Sequence, residues 1–203
     1  MEQVVNAVLE AMLRSGLVQV EVSARHVHLS AQDLATLFGH NTALTAVRPL
    51  SQPGQFLAGE RVTVIGPKGR FERTAILGPV RGNTQVELAV SDLRVLGIQA
   101  PMRESGDVQG SSSVTIEGPC GQVTLQQGVI IARNHIHMTP EAAQTLALTD
   151  KQKVSVKVLT NRPVTFHDVI VRVSDKFSCR VHLDTDEGNA AAVSGFTLGM
   201  ILR

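Results

Sequence analysis

Two closely spaced pairs of histidines carry the strongest chemical signal in the sequence. His26 and His28 bracket one apolar residue, and His135 and His137 bracket another. Residues two positions apart on a β-strand point to the same face, so each pair would present two imidazoles side by side. The residue between them would then face a buried core. Paired imidazoles of this kind are a common arrangement for binding a divalent metal ion.

Two further residues are candidates to complete a metal site. His182 lies in the alternating segment 180–184, and Glu87 lies in the similar segment 85–89. Both segments have the alternation of a half-buried strand. Three histidines with one carboxylate, or two histidines with open positions, suit Zn²⁺ or a related borderline metal.

These candidates belong to an internal repeat. Residues 25–30 resemble residues 134–139, and the paired histidines are 109 positions apart in the two copies. Glu87 and His182 align at an offset of 95, so the first half carries about 14 extra residues, which we place within 40–58. The sequence therefore predicts two similar units related by a pseudo-twofold axis.

The elements that would position these residues are mostly short strands. Val, Ile and Thr runs recur between Gly, Pro and Asn from residue 17 onward, which favours a sandwich or a barrel. Two helices interrupt them, at 30–39 after the cap Ser30 and at 139–148 after the cap Thr139. Residues 66–69 predict a hairpin turn, since they lack the ending and the following helix of a P-loop.

Residues 1–15 form a predicted amphipathic helix that ends before Gly16. Its apolar stripe would either dock on its own domain or bind a partner, and the sequence leaves both open. No apolar run reaches the roughly 18 residues of a membrane helix, and a secretion signal is not recognisable.

Composition excludes several function classes. The chain has 203 residues, a formal net charge of +1 and 43% hydrophobic residues, which is typical of a globular protein without a strong general attraction to nucleic acid or anionic membranes. Aromatic residues make up 3%, so a base-stacking surface is not expected. Cys120 and Cys179 predict free thiols in a reducing compartment.

Arginine offers chemistry for binding anions. Arg81 lies in a turn-rich segment just before Glu87, where a guanidinium beside a metal would hold phosphate or carboxylate. We interpret residues 103–107 as a solvated connection between strands, and His40 and His167 as loop and structural residues. A nucleophile motif is lacking, so direct transfer promoted by a metal is easier to support than a covalent intermediate.

At these residues the chain resembles the PduL-type phosphotransacylases, which are the phosphate propanoyltransferases of bacterial microcompartments. The resemblance runs from about residue 18 to the C-terminus, and it rests on SARHVHLSAQDL (23–34), QPGQF (52–56), ILGPVRGNTQVELAVSD (76–92), the RESGD region, ARNHIHMTPEAA (132–143), VTFHDVIVRV (164–173) and VHLDTDEGNA (181–190).

The resemblance implies a mainly β protein with two pseudo-symmetric β-barrel domains, short helices and an N-terminal amphipathic helix. Residues 24–133 would form the first barrel, and residues 16–23 with 134–203 the second. A homodimer is expected. Residues 1–15 would be a targeting segment for the microcompartment lumen through its shell or cargo proteins, or else the protein would be cytoplasmic.

The resemblance also implies a site with two zinc ions, for which Co²⁺ is a possible substitute. Glu87, His135, His137 and His182 would hold one ion. His26 and His28 would hold the other, with positions open for phosphate, water or the thiol of coenzyme A. Arg81 would contact phosphate, and the residues expected to contact coenzyme A are Ser23, Arg48 and Asn189.

The expected reaction is reversible acyl transfer, in which acyl-CoA, expected to be propanoyl-CoA, and phosphate give acyl phosphate and CoA. A metal-dependent phosphoesterase or thioesterase is the alternative enzyme, with Asp184 and Asp186 as the nearest candidate bases. A non-catalytic metal-binding barrel is the third class, but open metal positions argue against it, since structural zinc sites are usually closed.

Overall fold

The structure is a computed structural model that describes residues 2–202, with side chains described from residue 7 onward. Its helices are α1 (Glu2–Arg14), α2 (Ala31–Phe38), α3 (Val90–Leu96), α4 (Pro140–Thr145) and α5 (Thr185–Ala190). Its strands are β1 (Leu17–Ser23), β2 (His26–His28), β3 (Ala46–Pro49), β4 (Phe56–Ile65), β5 (Arg70–Gly78), β6 (Gln85–Glu87), β7 (Met102–Arg103), β8 (Ser112–Glu117), β9 (Gln122–Ala132), β10 (His135–Met138), β11 (Lys153–Leu159), β12 (Thr165–Val173), β13 (Arg180–Asp184) and β14 (Thr197–Leu202).

The chain divides into two compact units. Residues 24–133 form one, which we call the first barrel, and residues 1–23 with 134–203 form the other, the second barrel. The chain therefore starts in the second barrel, builds the whole of the first, and returns. This mainly β architecture confirms the fold class predicted from the sequence.

The second barrel closes six strands in the order β1-β13-β10-β12-β11-β14. Its core is filled by one face of each strand, as the period-two alternation requires. Ile136 is fully buried in this core together with Val181 and Leu183 from β13. Their neighbours His135, His137 and His182 consequently lie on the opposite face of the same strands.

The first barrel is also a ring of six strands, and it carries two additional strands. Strands β4, β5, β2, β6, β9 and β8 pair in a closed ring, with β3 added beside β4 and β7 beside β9. Val27 between the paired histidines is fully buried in the core, as predicted, and Val86 of β6 packs in the same cluster. In each barrel, the strand with the paired histidines (β2 or β10) is the antiparallel neighbour of the strand with the third candidate ligand (β6 or β13). We call the latter the third-ligand strand.

Helix ends agree with simple capping chemistry where the sequence was interpreted as helical. The Ser30 hydroxyl accepts from the backbone N–H of Asp33, and the Thr139 hydroxyl accepts from that of Ala142. Helix α4 ends at Thr145, three residues before the predicted end. The predicted turn at residues 66–69 is confirmed, since the N–H of Gly66 donates to the carbonyl of Gly69.

Two helices were missed by the sequence interpretation. The segment 85–89 was interpreted as one strand, but β6 ends at Glu87, and Ala89 is already the N-terminal cap of α3, which begins at Val90. Helix α5 begins directly after β13 in the same way. Each third-ligand strand is therefore followed at once by a short helix, and this junction is part of the repeat.

Helix α1 was predicted correctly as a helix, and its end at Arg14 precedes Gly16, which has a φ of 76°. Leu13 packs against the core of the second barrel, whereas Val8 and Leu9 are 52% and 56% exposed. Targeting by residues 1–15 stays a prediction. Among the described helices, none has the length and apolar character needed to span a bilayer.

The buried residue between the second pair of histidines offers a test of the fold. We expect Ile136→Ala to lower the free energy of unfolding by about 2–5 kcal/mol, because it removes a fully buried side chain that its neighbours cannot replace. Leu159→Ala in the same barrel, where the side chain is 39% exposed, is the control and should cost less than about 1 kcal/mol. Urea unfolding followed by circular dichroism measures both, and equal losses would contradict the assigned core.

Candidate functional site

The first candidate group consists of His26, His28 and Glu87, which are all buried. Antiparallel pairing of β2 with β6 places His26 directly opposite Glu87. The Nε2 atom of His26 lies 3.4 Å from Oε2 of Glu87, and Nε2 of His28 lies 3.9 Å from Oε1. Two imidazole nitrogens and one carboxylate thus converge, which is a ligand set that Zn²⁺ accepts.

Within its own barrel, Glu87 lies beside His26 and His28. The resemblance placed it with His135, His137 and His182, and that assignment stays a prediction. The contact of Glu87 with His26 follows from the register of β2 against β6, which is also the register of β10 against β13. Glu87 therefore stands in the first barrel where His182 stands in the second, as the internal repeat predicted.

Backbone carbonyls orient both imidazoles of the first group. Nδ1 of His26 lies 2.8 Å from the carbonyl oxygen of Ala24, and Nδ1 of His28 lies 3.1 Å from that of Leu77. A carbonyl oxygen only accepts, so each Nδ1 carries the hydrogen and each Nε2 faces the carboxylate. Such bonds fix the ring orientation of metal-binding histidines in many proteins.

The charges of the first group are strongly coupled. Burial alone would lower the pKa of His26, but the carboxylate of Glu87 outweighs it and raises that pKa above its usual value. Burial, with the positive charges of His26 and Arg81, lowers the pKa of His28 to about 3. Burial opposes ionisation of Glu87, yet attraction to His26 and its hydrogen bonds hold the pKa of Glu87 well below the usual range.

The second candidate group consists of His135, His137 and His182. Pairing of β10 with β13 places His135 opposite His182, and the three ring centroids lie 4.6–5.0 Å apart. Their nitrogens lie within 4.8 Å of one another. Three imidazoles at this separation match the protein ligands of a zinc site that keeps a further position open.

His137 shows the feature expected of a metal ligand. Both of its ring nitrogens are buried without a hydrogen-bond partner among the residues that the structure describes. Burial, with the charges of His135, His182 and Arg172, lowers the pKa of His137 to about 2, so its ring is neutral at physiological pH. The ring of Phe177 stacks on it at 3.9 Å and holds it in place. A metal ion would satisfy a nitrogen that is otherwise costly to bury.

Arg81 is connected to the first group through Ser105. Nη1 of Arg81 donates to the Ser105 hydroxyl at 3.1 Å, and that hydroxyl donates to Oε1 of Glu87 at 2.7 Å. The interpretation of residues 103–107 as a solvated connection was therefore wrong for Ser105. The N–H of Arg81 also donates to the carbonyl of Leu29, one residue after His28, which fixes the backbone beside the histidines.

Sequence reasoning also missed Gln85. Its amide donates to Glu87 and, at 3.0 Å, to Ser105, and its side-chain oxygen accepts from the N–H of Gly106 at 2.7 Å. A signal for it existed, because Gln85 is two residues before Glu87 and therefore shares its face of β6. For Ser105 a comparable local signal is lacking, because the loop reaches Glu87 only through tertiary structure.

The residues expected to contact coenzyme A lie on exposed or half-exposed elements. Ser23 ends β1 opposite Asp184, and Asn189 is exposed on α5, which packs against β1. Arg48 lies on the exposed strand β3 of the first barrel. Their contact with coenzyme A stays a prediction.

The unpaired histidines lie in other places. His40 is exposed in a turn after α2, and the ring of His167 on β12 lies 2.8 Å from the Ser155 hydroxyl on the exposed side of the second barrel. Neither belongs to the two histidine groups.

Comparison with known proteins identifies the family of the chain. The model of the phosphate propanoyltransferase family matches residues 19–194. The chain belongs to this family. A phosphate propanoyltransferase of Clostridioides difficile (strain 630) is 43% identical over 207 residues, covering 100% of this chain and 99% of the relative. That of Enterococcus faecalis is 49% identical over 91% of this chain and 88% of the relative, and that of Thermotoga maritima is 48% identical over 86% and 84%.

Family membership confirms the main functional prediction at a coarse level. The protein is an enzyme of the acyltransferase class, and it interconverts acyl-CoA plus phosphate with acyl phosphate plus CoA. The matched segment 19–194 includes every candidate ligand in both histidine groups as well as Arg81.

The depressed pKa values predict a distinctive titration. In metal-free protein, we expect the rings of His28 and His137 to stay neutral between about pH 8 and about pH 5, where an ordinary histidine takes up a proton near pH 6.5. Proton NMR of the imidazole ring hydrogens measures this, with His28→Gln and His137→Gln used for assignment. A titration midpoint near pH 6.5 for either ring would show that the ring is not buried as described.

Proposed function

We propose that each histidine group holds a metal ion and that these ions serve the direct transfer of an acyl group, propanoyl in the first instance, between phosphate and the thiol of coenzyme A. One observation carries this proposal. Arg81, a residue suited to bind phosphate, is linked through the Ser105 hydroxyl to Glu87, a candidate metal ligand. An anion-binding group is thus built into the wall of a metal-type site.

The residues present fit a zinc ion in each barrel. His26, His28 and Glu87 would hold one ion, and His135, His137 and His182 would hold the other. The unpartnered nitrogens of His137 and the carbonyl bonds that leave Nε2 of His26 and His28 facing Glu87 support this assignment. Bound zinc would supply Lewis acidity toward oxygen or sulfur atoms of the substrates.

The chain's own residues would bind and orient the reactants. The Arg81 guanidinium would hold phosphate by paired hydrogen bonds and offset the negative charge that grows as phosphate attacks the thioester carbonyl. A carbon–oxygen bond to phosphate would form, the carbon–sulfur bond would break, and coenzyme A would leave with the electron pair on sulfur. Ser23, Arg48 and Asn189 would contact coenzyme A.

Asp184, one of the two candidate bases of the hydrolase alternative, is already engaged in capping a helix. Oδ1 of Asp184 accepts a hydrogen bond from the N–H of Glu187 at 2.8 Å and caps α5. A carboxylate used to begin a helix is poorly available to activate water. Family membership favours phosphate as the acceptor.

Metal removal tests the centre. We expect purified protein to form propanoyl-CoA from CoA and propanoyl phosphate, to lose this activity on treatment with a strong chelator, and to regain it with Zn²⁺ or Co²⁺, because the imidazoles supply metal-ligating nitrogens. Thioester absorbance measures the reaction, and Mg²⁺ is the control ion, since it prefers oxygen ligands. Undiminished activity in fully metal-free protein would overturn the proposed metal centre, but the assignment of acyl transfer would still hold.

Replacement of Arg81 tests the phosphate site. We expect Arg81→Ala to lower kcat for thioester formation by about 10²–10³-fold, because it removes a donor aimed at developing charge. Binding of CoA should largely survive, as measured by calorimetry. Arg94→Ala, on the exposed face of α3 in the same barrel, is the matched control and should leave kcat unchanged. Turnover of wild-type size in Arg81→Ala would contradict the role assigned to the guanidinium.

A further inference from the structure

The residue before the first histidine is tied to a helix in each barrel. In the first barrel, Nε and Nη2 of Arg25 donate to Oδ1 of Asp92 in α3, at 3.1 Å and 2.8 Å. In the second barrel, Nδ2 of Asn134 donates to Oε1 of Glu187 in α5 at 2.7 Å. Arg25 precedes His26, and Asn134 precedes His135. The two contacts differ in chemistry but join the same places in the repeat.

In Asp92 and in Glu187, the two carboxylate oxygens accept hydrogen bonds from two different segments. The second oxygen of Asp92 accepts from the N–H of Ala89 at 3.2 Å, and the second oxygen of Glu187 accepts from the N–H of Asp184 at 3.0 Å. One oxygen therefore holds the start of the helix, and the other holds the segment before the first histidine. Each helix directly follows its third-ligand strand. One carboxylate therefore connects the segment before the first histidine with the segment after the third ligand.

We propose that Arg25–Asp92 and Asn134–Glu187 are positioning clamps that hold the metal-binding histidines of their own barrels in register with the third ligand. This inference rests on the proposed metal centre. None of the four residues belongs to the two candidate ligand groups, so each acts through the ligands rather than on the substrate. The two clamp pairs occupy corresponding positions in the repeat.

The backbone explains how a clamp would reach the imidazole of His26. Nδ1 of His26 donates to the carbonyl of Ala24, which is the residue before Arg25. Rotation of the backbone at these residues would move that carbonyl and turn the ring with it. In the second barrel, the carbonyl of Asn134 accepts from the N–H of Ile170 at 3.3 Å, so the same segment is held there on the β12 side.

The Arg25–Asp92 contact also differs from an ordinary surface ion pair. The side chain of Asp92 is only 6% exposed, and the guanidinium of Arg25 lies 4.1 Å from the ring centroid of Phe71. By contrast, Arg70 and Glu72 in the same barrel pair at 2.9 Å with both side chains at least 60% exposed. Exposed pairs of that kind contribute little to structure, so the Arg70 pair provides a matched control.

Titration of Co²⁺ into protein freed of metal tests the first clamp. We expect Arg25→Ala to weaken the binding of one of two Co²⁺ ions by about 10–100-fold, as is typical when an outer partner of a ligand is lost, and to alter the visible absorption of that ion. Arg70→Ala should bind both ions as the wild type does. Circular dichroism establishes that the variants are folded.

Two further variants test the second clamp and the equivalence of the two clamps. Asn134→Ala should weaken the binding of the other Co²⁺ ion. Asn161→Ala, in an exposed loop of the same barrel, is its control. The double variant R25N/D92E places the pair of the second barrel into the first. It should restore most of the Co²⁺ affinity that Arg25→Ala loses, which a loss of general stability would not predict.

Amide hydrogen exchange in metal-free protein separates failure of the clamp from failure of the metal centre. We expect faster exchange in β2 of Arg25→Ala, with no such change in Arg70→Ala. If wild-type protein binds no Co²⁺, the metal centre is wrong, and the exchange of β2 still decides whether Arg25 holds the strand. Folded Arg25→Ala protein with unchanged exchange in β2, or with unchanged affinity for both ions, would overturn the proposal.

Discussion

The antiparallel pairing of a histidine strand with the strand that carries the third ligand is the constraint on which the site depends. It sets His26 opposite Glu87 in one barrel and His135 opposite His182 in the other. Because side chains alternate along a strand, the same pairing buries Val27 and Ile136 in the two cores. A shift by one residue would turn the imidazoles into the core and the core side chains out of it, so the hydrophobic effect that folds each barrel also fixes the register of the ligands.

One difference at equivalent positions gives the two groups different electrostatics. Glu87 brings a negative charge, which raises the pKa of His26 and places a carboxylate beside the serine that receives the hydrogen bond of Arg81. Among the described residues, the group of His182 comprises three imidazoles, of which His137 is neutral and stacked on Phe177. The repeat therefore supplies two metal-type sites of unlike charge.

Periodicity and repetition were sufficient to predict a strand-rich protein of two similar units and the equivalence of Glu87 with His182, and the resemblance to a family added the two barrels. They did not state which strands pair, so the contact between Glu87 and His26 came from the structure. They also missed α3, whose first residue continues the apolar alternation of β6, and Ser105, whose polar loop looks solvated until tertiary structure brings it to Glu87. What the sequence leaves open is thus set by contacts between residues far apart in the chain.

Chain connectivity explains why a clamp is needed just before each first histidine. The division between the compact units falls after Ser23 and after Arg133, so the chain passes from one barrel to the other immediately before β2 and before β10. Arg25 and Asn134 lie between the passage and the ligand, and each is hydrogen-bonded within the barrel that the chain has just entered. A short strand that starts at a passage between domains has few backbone hydrogen bonds of its own, so a side-chain anchor is the means by which such a strand can hold a ligand precisely.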